Sequence, residues 1–280
     1  MEELKVKTES RFIPGIYNYC DYWCARCEFT RRCRNFSMGR EMEKRLGEDA
    51  EEPDDTANSD FWASLAEKVR EAQMFGGERE EWQELEPDDA DFEIDQEWLE
   101  REEAVRDAVR KHPLSVMAYE YLKQAGDWAK GADQDLKALA RELLEAAGGR
   151  FHDDDYEERA LEIGDLLDVV LWYHTLIPSK IGRALHGLLE LDADKDSLPQ
   201  FLAESRLSDA NGSGKIVLVA IDRSIGAWLR LREILPAHED AILQMLALLI
   251  RIQRGIHETL PGAKSFFRPG FDGEPMDDEA

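Results

Sequence analysis

Apolar residues return every three to four positions over most of the second half of the chain, and that period predicts helices. Residues 98–111 form one, stopped by Pro113. Residues 114–129 form the next, with Met117, Tyr121, Leu122, Ala125 and Trp128 on one face. A third covers 133–147 on Leu136, Leu139, Ala140, Leu143 and Leu144, before Gly148 and Gly149. Asp153, Asp154 and Asp155 suit the positive end of a long helix to about residue 177, and Pro178 opens a further one through 190. Residues 192–213 read as the longest irregular loop. The stretch 216–235 is apolar nearly all round and predicts a central helix ended by Pro236; 239–260 predicts the last, ended by Pro261 and Gly262. No strand is needed.

The first third behaves differently. Residues 38–46 suggest a short helix, and 59–76 another, on Phe61, Trp62, Leu65, Val69, Ala72 and Phe75. Around them, 47–58 and 78–94 are acidic connections without an apolar period. The expected organisation is therefore a cysteine-containing lobe at 1–46, an acidic linker at 47–94 carrying the helix 59–76, a helical bundle at 95–265 and a tail at 266–280. The fold class is all-α: a multi-helix bundle, of seven or so helices, with a small N-terminal four-cysteine metal-binding lobe.

Charge follows the same division. The chain carries a formal −26, of which residues 1–45 contribute +3 and residues 46–111 contribute −17. Such a field repels phosphate backbones, so nucleic acid is not a favoured partner; an unknown protein partner is. The longest charge-free apolar run in the helical half, 241–250, is too short for a bilayer, and no membrane association is expected. The opening residues lack the apolar segment of a secretory signal, which predicts reduced thiols and a cytoplasmic location.

All four cysteines, Cys20, Cys24, Cys27 and Cys33, fall in one window of 14 residues with the spacing C-x3-C-x2-C-x5-C. Chance placement of this kind is below about one in a thousand, so the four are expected to share an inorganic ligand. On a helical turn, positions 20, 24 and 27 would project three sulfurs from one face, with Cys33 returning as the fourth. Zinc and a [4Fe-4S] cluster both accept four thiolates. Zinc sites usually split their ligands into two separated knuckles, whereas three ligands here crowd into eight residues, which favours the cluster. Tyr17, Tyr19, Tyr22, Trp23, Phe29 and Phe36 could wall the site, and Arg26, Arg31, Arg32 and Arg34 could offset its negative charge.

The segment from Cys24 through Cys27 and Phe29 to Cys33 resembles, over ten residues, the C-x2-C-x5-C limb that binds part of a [4Fe-4S] cluster in RecB-like iron-sulfur nucleases. Nuclease activity is not carried over, because the nuclease core that should precede the limb has no counterpart in the 19 residues before Cys20. The C-x3-C-x2-C subset also matches the radical S-adenosylmethionine triad, without the alternating strands and helices that should follow. Residues 11–20 together with Phe267 to Asp272 look like an uncharacterised group of bacterial proteins with an N-terminal four-cysteine cluster and a helical body, a resemblance that implies no activity.

Elsewhere the chemistry is thin. Asp192, Asp194 and Asp196 imitate the start of a calcium loop, but Ser197, Pro199 and Ala203 break the pattern; Gly212 to Lys215 imitates a phosphate loop without its first glycine or its Ser/Thr. Asp222 and Arg223 interrupt the central helix. Glu158, Glu162 and Asp165 form a carboxylate stripe, with Asp168 a turn on and His174 beside it. These are expected to form a structural ion-pair network joining Asp165 or Asp168 to Arg223, Arg183 or Lys180, ahead of a solvated face or a second metal site. Arg251 and His257 are similar to the Arg-x(4 to 6)-His element of HEPN-type ribonucleases, a remote alternative. The leading expectation is a metal-binding protein with a [4Fe-4S] cluster on Cys20, Cys24, Cys27 and Cys33 in a redox, sensing or structural role. The second is a zinc-binding helical adaptor. Whether the chain is an enzyme is left open.

Overall fold

The computed structural model describes residues 11–48, 96–146, 154–194 and 198–273. Among these residues the structure is all-α, without a strand: α1 (Arg34–Glu48), α2 (Gln96–Lys111), α3 (Pro113–Ala146), α4 (Asp154–Ala193), α5 (Gln200–Ile234) and α6 (Glu239–Thr259). The helix expected at 59–76 and most of the acidic linker lie outside the described residues, as do Asp196 and Ser197 of the calcium-like stretch.

Helices α2 to α6 form the bundle, with α4 against α5 as its broadest contact and α3 and α6 closing the other sides. The core is one apolar cluster. Tyr121, Tyr173, Ile177, Ile181, Ile221, Trp228, Leu231 and Ile252 are all fully buried in it. Trp228 meets Trp128 edge-on at 4.7 Å and donates its indole N–H to the Tyr121 hydroxyl at 3.0 Å. That bond satisfies the polar tips of Trp228 and Tyr121, whereas the buried Trp128 indole N–H has no hydrogen-bond partner among the described residues.

Three boundaries differ from the sequence reading, for one reason. α3 runs unbroken through Gly131, joining the two helices expected there, and α4 runs through Pro178. An internal glycine costs about 1 kcal/mol and an internal proline about 3. Ala132, Ile177 and Ile181, fully buried around these positions, supply packing that offsets the local cost. The expected loop at 192–213 is also wrong in most of its length, because α5 begins at Gln200 and carries Gly212, Ser213 and Gly214 inside it. These glycines are used for close approach. A Cβ at Gly212 would run into the Tyr19 ring and, at 2.9 Å, Phe266, and one at Gly214 would come within 2.9 Å of Leu260.

The interruption at Asp222 and Arg223 is a surface feature: both residues are exposed, so α5 has a polar face and no unpaired charge is buried there. Asp222 accepts a hydrogen bond from Gln253 of α6 at 2.7 Å.

Candidate metal centre

The cysteine segment does not form an α-helix. It winds through three short 3₁₀ turns, Ile16–Tyr19, Cys24–Arg26 and Thr30–Arg32, and each cysteine stands at the edge of one. Cys20 follows the first turn in extended conformation, Cys24 begins the second, Cys27 closes it with its N–H on the Cys24 carbonyl at 3.2 Å, and Cys33 closes the third on Thr30 at 3.3 Å. Between Cys20 and Cys24 the chain reverses at Tyr22, whose φ of 58° is costly for a side-chain-bearing residue. Convergence of the sulfurs thus comes from loop winding rather than from the helical face that the spacing suggested.

All four cysteines are free thiols, and all four line one apolar hollow. Its enclosed volume is about 20 Å³, within about 320 Å³ of space that opens outward. Tyr17, Tyr22, Trp23, Phe29 and Phe36 line it, five of the six aromatics named from sequence; Ile16, Asp21 and Thr30 and, from the distant C-terminal segment, Phe271 complete it. The sixth aromatic, Tyr19, packs on Phe266 at 4.7 Å. Burial pushes the Cys20 thiol up, opposed by nearby Lys180, and burial followed by the proximity of Cys27 and Cys33 pushes up that of Cys24. Both are therefore held as thiols at neutral pH until something displaces the proton.

The sulfurs are neighbours without being crowded. Among the described residues, the group of three or more metal-ligating side chains whose donor atoms all lie within 4.8 Å of one another is Glu102, His186 and Glu190, so no three cysteine sulfurs meet that limit.

The lobe is fastened directly to the bundle. The Asp21 carboxylate accepts hydrogen bonds from the Tyr173 hydroxyl at 2.7 Å and from Arg223 at 2.6 Å, while its backbone carbonyl accepts from the Trp172 indole at 2.9 Å. Burial, then the bond to Asp21, pushes the Tyr173 hydroxyl up to about 12, so it remains a donor. Trp23 stacks on Trp172 at 5.1 Å, and Arg26 lies over the Trp23 ring at 4.3 Å. Phe29 meets Phe271 at 5.0 Å. A Cβ at Gly270, which has φ of +82°, would press on Ile16 and Ile13.

The ion-pair expectation holds in kind but not in partners. Asp165 and Asp168 pair with Arg26 of the lobe at 2.7 and 3.1 Å, Glu162 with Arg230, Arg183 with Asp209, and Arg223 with Asp21. Lys180 is buried under the Tyr22 ring, 4.6 Å from its centre, and its ammonium is pulled below its ordinary range by burial and then by Arg183. His174 turns Nδ1 toward the Leu171 carbonyl, and burial lowers its basicity. Arg251 and His257 are both exposed on α6.

Sequence reasoning missed Asp21, Trp172 and Tyr173, and it singled out Phe271 only within the segment Phe267 to Asp272, without a place at the cysteines. A lone aspartate between two cysteines and two aromatics inside a core helix carry no motif; the one available signal was the aromatic clustering at both ends of the chain. No helix among the described residues is long and apolar enough to cross a membrane. The chain matches no family model, no curated protein and no solved structure.

Proposed function

We propose that the chain is a metal-binding protein in which Cys20, Cys24, Cys27 and Cys33 hold one [4Fe-4S] cluster against the helical bundle, with a redox, sensing or structural role. The observation that carries this reading is four free thiols around one apolar hollow, no three of whose sulfurs lie within 4.8 Å of one another. A tetrahedral zinc with Zn–S bonds of about 2.3 Å brings its sulfurs to about 3.8 Å from one another. A four-iron body holds its thiolates farther apart. The aromatic walls support the same reading, since exclusion of water protects such a cluster and sets its potential.

A zinc-binding adaptor is the second reading, favoured by the small enclosed volume, which suits one ion. In either case the chain supplies thiolates, and Lys180 supplies a nearby positive charge. Because Cys20 and Cys24 start as protonated thiols, loading releases protons and is expected to strengthen as pH rises from 6 to 8.

Anaerobic purification separates the two. A brown protein absorbing broadly near 400 nm, with about four irons and four sulfides per chain, supports the cluster. A colourless protein with one zinc per chain and no iron after reconstitution rejects it in favour of the adaptor. Replacement of Cys27 by serine is expected to abolish either kind of loading.

A further inference from the structure

A second cluster of ligand-type side chains lies between α2 and α4, away from the cysteines. Glu102 comes from α2; His186 and Glu190 are four residues apart on α4, which places them on the same helix face. The imidazole is clasped on both sides: Nε2 is 3.1 Å from Glu102 Oε1 and Nδ1 is 3.4 Å from Glu190 Oε2. One donor atom from each of the three falls within 4.8 Å of the other two, and none of the residues is on the open surface. Ligands held at about 2.0 to 2.2 Å from one ion lie roughly 3 to 4 Å apart, so the triangle needs only a small contraction to close.

We propose that Glu102, His186 and Glu190 form a divalent-cation site, distinct from the cysteine centre and independent of what that centre holds. One imidazole nitrogen and two carboxylates make a mixed nitrogen and oxygen set, which accepts manganese, ferrous iron or zinc and is unsuited to a soft ion such as copper(I). Three protein ligands leave coordination positions open. All three residues border one groove open to solvent, so those positions face space in which water or a second ligand can complete the shell. A supporting contact is in place: Arg106 donates to Glu102 at 2.8 Å and fixes that carboxylate. The ion joins two helices otherwise held by apolar packing around Val105 and by the pair of Arg101 with Asp194, just past the end of α4, at 3.0 Å, and so clamps α2 to the bundle.

The test uses Mn²⁺ alone on the full chain at about 0.15 M salt, where diffuse binding to the acidic surface is screened. Ring-proton resonances of the histidines are followed by NMR, and that of His186 is identified by its loss in His186→Asn. The expected result is selective broadening of His186 at substoichiometric Mn²⁺, at least tenfold below the concentration that affects the other histidines. Glu190→Gln, which keeps size and helix propensity, is expected to remove that selectivity while leaving the circular dichroism and melting profile of the ion-free protein in place. Broadening of His186 no earlier than its fellows, or unchanged selectivity in Glu190→Gln, overturns the site. Neither readout involves the cysteines, so a colourless, iron-free protein would leave this test intact.

Discussion

The α4–α5 pair and the cysteine lobe are both held by aromatic residues, but they are specified in opposite ways. Along α4–α5 the chain repeats one instruction, an apolar residue every turn, and Ile177, Ile181, Val217, Ile221, Trp228 and Leu231 are each nearly or fully excluded from water. Such packing is redundant: many contacts of small energy add up, and one imperfect position such as Pro178 is absorbed. Among residues 11–33, by contrast, only Ile16 is buried, and position depends on a few directed contacts such as Asp21 and the Trp23–Trp172 stack. A region of this kind tolerates little substitution at its anchors and would gain much from a bound inorganic centre, which would replace the core it lacks.

The sharpest contrast is between damage confined to one region and damage that spreads. Trp228→Ala empties the middle of the bundle and is expected to cost about 3–5 kcal/mol, read as a lower midpoint in urea unfolding with loss of the whole helical signal. Asp21→Asn keeps the size of the side chain but removes the charge that faces Arg223, at a cost of about 1.5–3 kcal/mol in lobe docking. Its signature is faster reaction of the cysteines with a thiol reagent while the bundle's melting is nearly unchanged; simultaneous loss of both would show that lobe and bundle form one cooperative unit. Gly212→Ala forces a methyl group into the Tyr19 ring and is expected to cost about 1–3 kcal/mol, again read in thiol reactivity.

Smallest is Asp165→Asn. Arg26, Asp165 and Asp168 are 38%, 70% and 65% exposed at their side chains, so removal of one carboxylate should change stability by less than about 1 kcal/mol. An effect comparable to that of Asp21→Asn would mean that the lobe is held by charge at its rim. Acid gives a further separation. Glu102 is held below its ordinary 4.5 by its hydrogen bond with His186 and then by Arg106, so its contribution is present above that value and fades as pH falls through the lower folded one. The α2–α4 contact is accordingly expected to loosen in acid below about pH 4.5.

Much of the helical body was legible from the chain alone. The period around Tyr121, Leu136, Trp228 and Ile252 identified helices correctly, because burial of a stripe needs only the right spacing. Boundaries failed at Gly131, Pro178 and Gly212, where the local preference of one residue was read as decisive. The cysteine window was legible as a group but not as a shape: C-x3-C-x2-C fits a helix by arithmetic, yet Tyr22 and the 3₁₀ turns bend the chain another way. Asp165 and Asp168 were recognised as charges that need partners, although a partner 139 and 142 residues away in sequence, Arg26, cannot be inferred from periodicity.

The sequence by itself determined that the body is helical and that four thiols are gathered near one end, since both are matters of short-range spacing. Only the tertiary structure decided where the lobe sits, that Phe271 closes the hollow around the cysteines, and that Glu102 reaches His186 and Glu190. Such contacts join residues far apart along the chain. Their choice depends on the shape complementarity of finished surfaces, a glycine under a ring or a carboxylate against a tyrosine hydroxyl, and not on any pattern that neighbouring residues display.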